Sequence, residues 1–253
     1  MLLHTHCTGS GDPIVLIHGL FGSYENLGII ARSLAEHYHV INIDVRNHGQ
    51  SPHSEQMTYA LMAEDVAETL DHLGLSKVSI LGHSMGGKIA MAFALAHPER
   101  VDKLILADIA PVAYPARHQQ ILAGLSAVPL SQIQSRSDAD KHLAHYINEL
   151  GVRQFLLKSL AIQDDHYSWR FNLAALTEQY SKINGELDQK GSFTGECLFI
   201  KGELSDYILA EHKSQILAQF PKAQVKTIQG TGHWLHAEKP AIFSRLVQDF
   251  LSA

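Results

Sequence analysis

Short apolar runs alternate with stretches of helical spacing along the first 110 residues of the chain. Apolar runs of four to six residues that end in polar or glycine residues are typical of strands buried on both faces. Such runs predict strands over residues 13–17, 40–45, 78–81 and 103–107. Apolar residues at helical spacing predict helices over 26–37, 57–73 and 86–97. This order indicates repeated strand–helix units and a mainly parallel sheet with helices on both faces.

The alternation stops between residues 111 and 190, where helical patterns occur without a convincing strand. Strands are predicted again over 197–200 and 225–228, and a last helix runs from Pro240 to about Leu251. The fold class is therefore α/β, with a core formed by residues 1–110 and 191–253. Residues 111–190 are predicted to be a helical lid, because ligands of such sheets bind at the carboxyl ends of the strands.

A glycine-flanked serine follows the third predicted strand, in the stretch LGHSMGG at residues 81–87. Gly82, Ser84 and Gly86 match the G-x-S-x-G pattern, in which a sharp turn from strand to helix exposes a serine hydroxyl. Glycines two residues away avoid the clash that a Cβ would make there. Ser84 is predicted to be a nucleophile. The alternatives are an ordinary turn serine or an elbow in a protein without activity.

A serine nucleophile needs a base, and in this fold the base follows the last strand. His233 lies in GTGHWLHAEKP (230–240), between a glycine-rich turn and the final helix, and is assigned as general base and general acid. His236 is the competing candidate three residues later. His83, beside the serine, is expected to point away and pack.

Two aspartates are candidates for the residue that orients the base. Asp108 directly follows the strand after the elbow, and Asp206 follows the next strand. The usual G-x-x-D pattern after Gly202 places Ser205 where an acid is expected and Asp206 one residue late, which turns its side chain to the other face. Asp108 is therefore preferred, with Ser205 as an auxiliary partner of His233 and Asp206 as the alternative.

Two backbone amides should stabilise the oxyanion of an acyl-transfer intermediate. One belongs to Met85, the residue after the nucleophile. The other comes from the loop HGLFG at residues 18–22, and either Leu20 or Phe21 supplies it.

Composition and charge limit the expected binding partners of the protein and its cellular compartment. The 253 residues carry a net charge of −6 and no basic run, which argues against nucleic acid as a partner. No apolar stretch approaches the ~20 residues of a membrane span, and the N-terminus lacks the pattern of a secretory signal. Two cysteines far apart in sequence, Cys7 and Cys197, suggest a reduced, cytoplasmic protein. His4 and His6 are a weak metal candidate, and neither metal nor cofactor is expected.

Together these segments resemble the α/β-hydrolase superfamily and, within it, the YbfF-type bacterial esterases and related mitochondrial hydrolases. The resemblance covers nearly the whole chain, including the predicted lid. It rests on IVLIHGLFGSYENLG (14–28), DVRNHGQS (44–51), LGHSMGGKIAMAFA (81–94), ADIAPVAY (107–114), QFLLKS (154–159), WRFNL (169–173) and GTGHWLHAEKP (230–240). It implies the same fold, a Ser84–His233–Asp108 triad, and hydrolysis of small-molecule carboxylic esters or of acyl thioesters such as acyl-CoA.

Substrate choice is expected to depend on the predicted lid. Phe155, Trp169 and Phe171 are candidates for an acyl pocket, although such aromatic residues also form the core of a helical segment. A carbon–carbon bond hydrolase or a perhydrolase would use the same triad. From another class of protein, the alternative is a ligand-binding scaffold without catalysis.

Overall fold

A computed structural model of the protein describes residues 1–163 and 166–253. The strands are β1 (Thr5–Thr8), β2 (Asp12–Ile17), β3 (Tyr38–Ile43), β4 (Val78–His83), β5 (Val101–Ala107), β6 (Leu160–Gln163), β7 (His166–Trp169), β8 (Glu196–Gly202) and β9 (Ala223–Ile228). The helices are α1 (Gly28–Leu34), α2 (Tyr59–His72), α3 (Met85–Ala96), α4 (Gln119–Ala127), α5 (Arg136–Ala144), α6 (Leu150–Leu157), α7 (Leu173–Glu178), α8 (Tyr180–Asn184), α9 (Lys213–Gln219), α10 (Leu235–Glu238) and α11 (Pro240–Leu251).

Seven strands form the central sheet in the order β1-β3-β2-β4-β5-β8-β9. All pairs are parallel except β1 with β3, which places an antiparallel strand at one edge. The carboxyl ends of β4, β5 and β8 are therefore neighbours. The α/β class and the mainly parallel sheet are confirmed, and each of the six predicted strands is present.

Side chains of alternating residues in the central strands pack into two hydrophobic cores, one on each face of the sheet. Ile14 and Leu16 of β2 pack with α1 and α11, whereas Val15 and Ile17 face the side covered by α2, α3 and α9. Both faces are thus closed by helices, which explains why the central strands are continuously apolar.

The segment between β5 and β8 contains α4 to α8 and also a feature that the sequence pattern missed. Strands β6 and β7 pair antiparallel, with Leu160 opposite Trp169 and Ile162 opposite Tyr167. The expectation of helices alone over residues 111–190 was therefore wrong. In the ranges 1–163 and 166–253, no helix is both long and apolar enough to cross a membrane.

Candidate active site

Ser84 lies at a sharp turn between β4 and α3. Its backbone has φ 53° and ψ −120°, a conformation that costs a non-glycine residue on the order of 1–3 kcal/mol and is typical of functional sites. A Cβ at Gly82 would overlap the carbonyl oxygen of Gly86, and a Cβ at Gly86 would overlap that of Ile17. The two glycines are therefore required for the turn, and the strand–turn–helix geometry is the one that G-x-S-x-G predicts.

His233 connects Ser84 to Asp108. Its Nε2 lies 2.9 Å from the Ser84 Oγ, and its Nδ1 lies 2.7 Å from Oδ2 of Asp108. Because a carboxylate only accepts, Nδ1 carries the proton and Nε2 is left to accept the serine hydroxyl. This is the arrangement in which a serine can be deprotonated by a base that a third group orients.

The carboxylate of Asp108 is completely buried and surrounded by donors. The Gly202 N–H donates to Oδ1 at 3.1 Å, and the Ser205 hydroxyl donates to Oδ2. Asp108 itself has φ 51°, and its amide donates to the Ile200 carbonyl of the neighbouring strand at 2.8 Å. The turns after β5 and β8 together hold this carboxylate against His233. Ser205 is therefore a hydrogen-bond partner of the acid and not, as predicted, of His233.

Asp206 lies outside this network. Its carboxylate is 64 % exposed and forms an ion pair with Arg117, whose guanidinium lies 4.8 Å from the ring centre of Tyr207. The Tyr207 ring stacks on His233 at 3.8 Å and 16°. The structure thus brings Asp108, and not the alternative Asp206, to His233, while Tyr207 covers one face of the imidazole.

The neighbouring histidines support the loop that carries His233. His83 is buried, and its Nε2 lies 2.9 Å from the His233 carbonyl oxygen. Burial lowers the pKa of His83 well below its ordinary value and that of His236 to about 3. His236 packs against the His83 ring at 4.3 Å and makes no hydrogen bond to Ser84, so the alternative base is not in position.

The two alternatives for the second oxyanion amide are distinguished by His48. The Phe21 N–H donates to the His48 Nε2 at 3.1 Å and is therefore occupied. Phe21 has φ 62°, which turns the loop at this point. Within the described part of the chain, the Leu20 N–H has no acceptor. The Met85 amide is the first of α3 and has no intrahelical partner either. Phe21 is thus excluded as the donor in this conformation, and Leu20 and Met85 remain.

Two buried neutral histidines hold the loop at residues 18–22. The His18 Nε2 accepts the Val45 N–H at 3.1 Å while its Nδ1 contacts the Gly19 carbonyl at 2.8 Å. The His48 Nδ1 lies 2.9 Å from the Arg46 carbonyl. Burial lowers the pKa of His18, and burial with the neighbouring His18 lowers the pKa of His48 to about 3. Each ring therefore stays neutral, with one nitrogen as donor and the other as acceptor.

A cavity of about 270 Å³ opens beside Ser84 and His233. Its walls come from the core and from the segment between β5 and β8. Apolar side chains dominate, with a few polar groups, and the lining outside the triad includes Leu20, Phe21, Leu27, His118, Ile121, Val152, Gln154, Phe155, Lys158 and Trp234. Phe155 lies against Trp234, with ring centres 5.5 Å apart.

Of the three aromatic residues predicted to line a pocket, only Phe155 does so. Trp169 and Phe171 are buried and stack on each other at 5.4 Å and 6°. The Phe171 ring packs in turn on the ring of Phe21, 5.4 Å away. The expectation for Trp169 and Phe171 was wrong because their rings form the core behind the cavity wall.

Several residues of the site were missed by sequence reasoning. Trp234 follows the base directly, so its position was a usable signal for a lining residue. Tyr207 and His118 carried no signal, because neither belongs to a spacing that the chemistry requires. Among the described residues, no group of three or more His, Cys, Asp or Glu side chains is arranged to hold a metal ion.

Comparison with known proteins identifies the family. Residues 12–240 match the family model of the alpha/beta hydrolase fold. The chain is 43 % identical over 244 residues to Esterase YbfF of Escherichia coli, covering 96 % of this chain and 94 % of that protein. It is 39 % identical to the sn-1-specific diacylglycerol lipase ABHD11 of Mus musculus, covering 94 % of this chain and 80 % of the lipase.

A solved structure described as a marine microorganism esterase superimposes with a TM-score of 0.96 at 40 % identity, covering 98 % of this chain and 99 % of that one. The chain therefore belongs to the α/β-hydrolase family, as the sequence resemblance predicted.

Proposed function

We propose that this member of the α/β-hydrolase family is a serine esterase that cleaves small carboxylic esters through an acyl-enzyme on Ser84. One observation carries the proposal: the hydrogen-bonded series Ser84–His233–Asp108 ends beside the backbone amides of Leu20 and Met85, for which the described residues provide no acceptor. A nucleophile, a base, an orienting acid and oxyanion donors are the four parts that acyl transfer requires. The names of the relatives, an esterase and a lipase, support the same chemistry.

In the first half-reaction, His233 Nε2 takes the proton of the Ser84 hydroxyl as its oxygen attacks the ester carbonyl. The amides of Leu20 and Met85 hold the oxyanion, and each such donor typically contributes about 10²–10³ in rate. Asp108 stabilises the imidazolium through Nδ1–H without taking the proton. His233 then protonates the leaving alcohol, and the acyl group stays on Ser84.

The second half-reaction repeats these steps with water. His233 removes a proton from a water molecule that attacks the acyl-enzyme, and the same two amides hold the second oxyanion. Collapse returns the proton from His233 to the Ser84 oxygen and releases the carboxylic acid. No step calls on a metal or an organic cofactor.

The cavity supports a small substrate. Sites for drug-sized ligands typically have volumes of about 300–1,000 Å³, and the cavity beside Ser84, of about 270 Å³, is smaller. Its apolar walls suit a hydrocarbon chain. Lys158 is exposed at the cavity and is the residue on which any preference for an acyl-CoA thioester would depend.

We further propose that residues 111–190 act as a cap over the site. In support, His118, Phe155 and Lys158 from this segment share the cavity with Ser84 and His233 from the core. Residues 1–110 and 191–253 would then provide the chemistry, and the cap would select the substrate.

The test is hydrolysis of p-nitrophenyl esters of increasing chain length by wild type and Ser84→Ala, with butyryl-CoA beside p-nitrophenyl butyrate. We expect the highest kcat/KM on short chains and a loss on the order of 10⁶-fold in Ser84→Ala. Activity that survives Ser84→Ala would contradict the proposal. A wild type without activity on every ester, but active on a carbon–carbon bond substrate or in perhydrolysis, would favour those alternatives.

A further inference from the structure

A histidine of the proposed cap lines the same cavity as the nucleophile. His118 immediately precedes α4 and lines the cavity together with Leu20, Ser84 and His233. It also lines a second cavity, of about 30 Å³, beside Leu20, Ser84 and Met85. Its ring is therefore next to the space in which a bound ester would lie. The mechanism proposed above does not use it.

The Tyr180 hydroxyl fixes which nitrogen of His118 carries the proton. The Tyr180 oxygen accepts the backbone N–H groups of Arg117 at 3.1 Å and of His118 at 2.9 Å. Both lone pairs are then occupied, and the hydroxyl has one hydrogen to donate. The His118 Nδ1 lies 2.7 Å from this oxygen and accepts that hydrogen. The ring proton must therefore be on Nε2.

The ring stays neutral over the pH range in which a serine esterase works. Burial lowers the pKa of His118 to about 4, and the nearby His233 and Arg117 act in the same direction. Among the described residues, the His118 Nε2 has no hydrogen-bond partner. Polar groups that become buried under a ligand are almost always hydrogen-bonded. The site thus presents an uncharged donor that a substrate acceptor can satisfy.

We propose that His118 determines specificity by donating its Nε2–H to a substrate oxygen that lies outside the reacting ester group, whose carbonyl oxygen is held by Leu20 and Met85. The substrates are then esters that carry a second, uncharged oxygen acceptor, such as an ether, hydroxyl or keto group, close to the reacting carbonyl. An uncharged donor suits an uncharged acceptor. This inference rests on the proposed esterase function.

Two pairs of nearly isosteric esters test the proposal. Ethyl methoxyacetate and ethyl butanoate differ by an oxygen on the acyl side, and 2-methoxyethyl acetate and butyl acetate differ by one on the alcohol side. The intrinsic reactivity of each ester cancels when the ratio of kcat/KM within a pair is compared between variants. For at least one pair, we expect the ratio to fall about 3- to 10-fold in His118→Phe, as for the loss of one hydrogen bond.

Two further variants serve as controls. His118→Gln keeps an N–H donor near the position of Nε2 and should retain part of the preference. His145→Phe makes the same change at an exposed histidine of the cap outside the cavity, and should leave both ratios unchanged. Unchanged ratios for both pairs in His118→Phe would overturn the proposal. So would an equal loss on all four esters, because that result would place the His118 contact on the ester group that all four substrates share.

A binding measurement separates this inference from the proposed function. The Kd values of the same four esters are measured by calorimetry on Ser84→Ala and on Ser84→Ala combined with His118→Phe. We expect tighter binding of the oxygen-bearing member of one pair only where His118 is present. Equal Kd values, or no binding of any ester, would overturn the inference even if wild type proves to be an esterase. Failure of wild type to hydrolyse esters, with the Kd difference intact, would count against the proposed function alone.

Discussion

The Ser205 hydroxyl donates to Oδ2 of Asp108, the same carboxylate oxygen that accepts the Nδ1–H of His233. Ser205 is thus part of the environment that holds the acid, although its hydroxyl makes no hydrogen bond to His233 or Ser84. Because Asp108 is completely buried, each donor to its carboxylate replaces water that the anion would otherwise bind. Ser205 is therefore expected to position the acid and to leave substrate binding alone.

Removal of this hydroxyl should lower kcat. For Ser205→Ala, we expect kcat on p-nitrophenyl butyrate to fall about 10- to 100-fold, since a hydrogen bond to a charged group is worth about 1.5–3 kcal/mol. KM should stay within a factor of about two. Ser205→Thr keeps the hydroxyl and should recover most of the rate. A wild-type kcat in Ser205→Ala would show that Ser205 only packs.

The two aspartates give a matched comparison. Asp108→Asn should lower kcat on the order of 10⁴-fold, because an amide cannot hold His233 in the tautomer that accepts the serine proton. Asp206→Asn breaks only an exposed ion pair with Arg117 and should change kcat less than about threefold. Steady-state kinetics on p-nitrophenyl butyrate measure both. The reverse result would move the acid to the strand end after β8.

Removal of the His48 ring should weaken stabilisation of the oxyanion and leave the hydrogen bonds of the triad intact. In His48→Phe, the Phe21 N–H loses its acceptor and the loop that carries the Leu20 amide loses its fixed position. We expect kcat/KM to fall about 10- to 100-fold, somewhat less than for complete loss of one oxyanion donor.

A transition-state analogue distinguishes this role from general damage. The Ki of a trifluoromethyl ketone inhibitor should rise in His48→Phe by the same factor by which kcat/KM falls. His72→Phe, at an exposed histidine, is the matched control and should change neither. An unchanged Ki in His48→Phe would contradict the assignment of Leu20.

Sequence patterns predicted the strands that are buried on both faces, because burial makes their own residues continuously apolar. Strands β2 and β4 lie inside a sheet covered on both faces, so their apolar runs were unambiguous. Strand β1 has a polar sequence, THCT, and its register depends on its partner β3, which no local pattern reveals. The antiparallel pair of β6 and β7 was missed because each strand has only four residues, too few for a clear alternating pattern.

In the candidate active site, too, some residues were predictable from local patterns and others depend on tertiary contacts. The positions of Ser84 and His233 follow from turn geometry and chain order, both visible in the sequence. The choice between Leu20 and Phe21 depends on His48, which lies 27 residues away from Phe21 in sequence. The roles of Trp169 and Phe171 depended on which side of the cavity wall their rings occupy. These contacts are determined by tertiary packing, which local sequence patterns do not reveal.

Lys88 should make stability depend on pH. Its side chain is 1 % exposed, and its ammonium donates to the carbonyls of Val112 and Gly185, near the two ends of the proposed cap. Burial lowers the pKa of Lys88 from 10.5 to about 7. Between these values, the unfolded chain binds a proton that the folded protein has released, so the contribution of Lys88 to stability rises with pH.

Urea unfolding of wild type and Lys88→Met at several pH values measures this contribution. The difference in the free energy of unfolding, wild type minus variant, should be flat below about pH 7. It should then increase by up to about 1.4 kcal/mol per pH unit towards pH 10. Lys77→Met, at an exposed lysine paired with Asp102, is the control and should show a flat difference. A flat difference for Lys88→Met as well would contradict the burial argument.

Catalysis is expected to proceed through a covalent acyl-enzyme on Ser84, and trapping of this intermediate tests that expectation directly. Wild type and Asp108→Asn are mixed with p-nitrophenyl acetate, quenched in acid within the first turnovers, and digested for mass spectrometry. We predict one acetyl group on Ser84 in wild type, formed with a burst of p-nitrophenol, and much slower acetylation in Asp108→Asn. Hydrolysis by wild type without acetylated Ser84, or acetylation at another residue, would contradict the account.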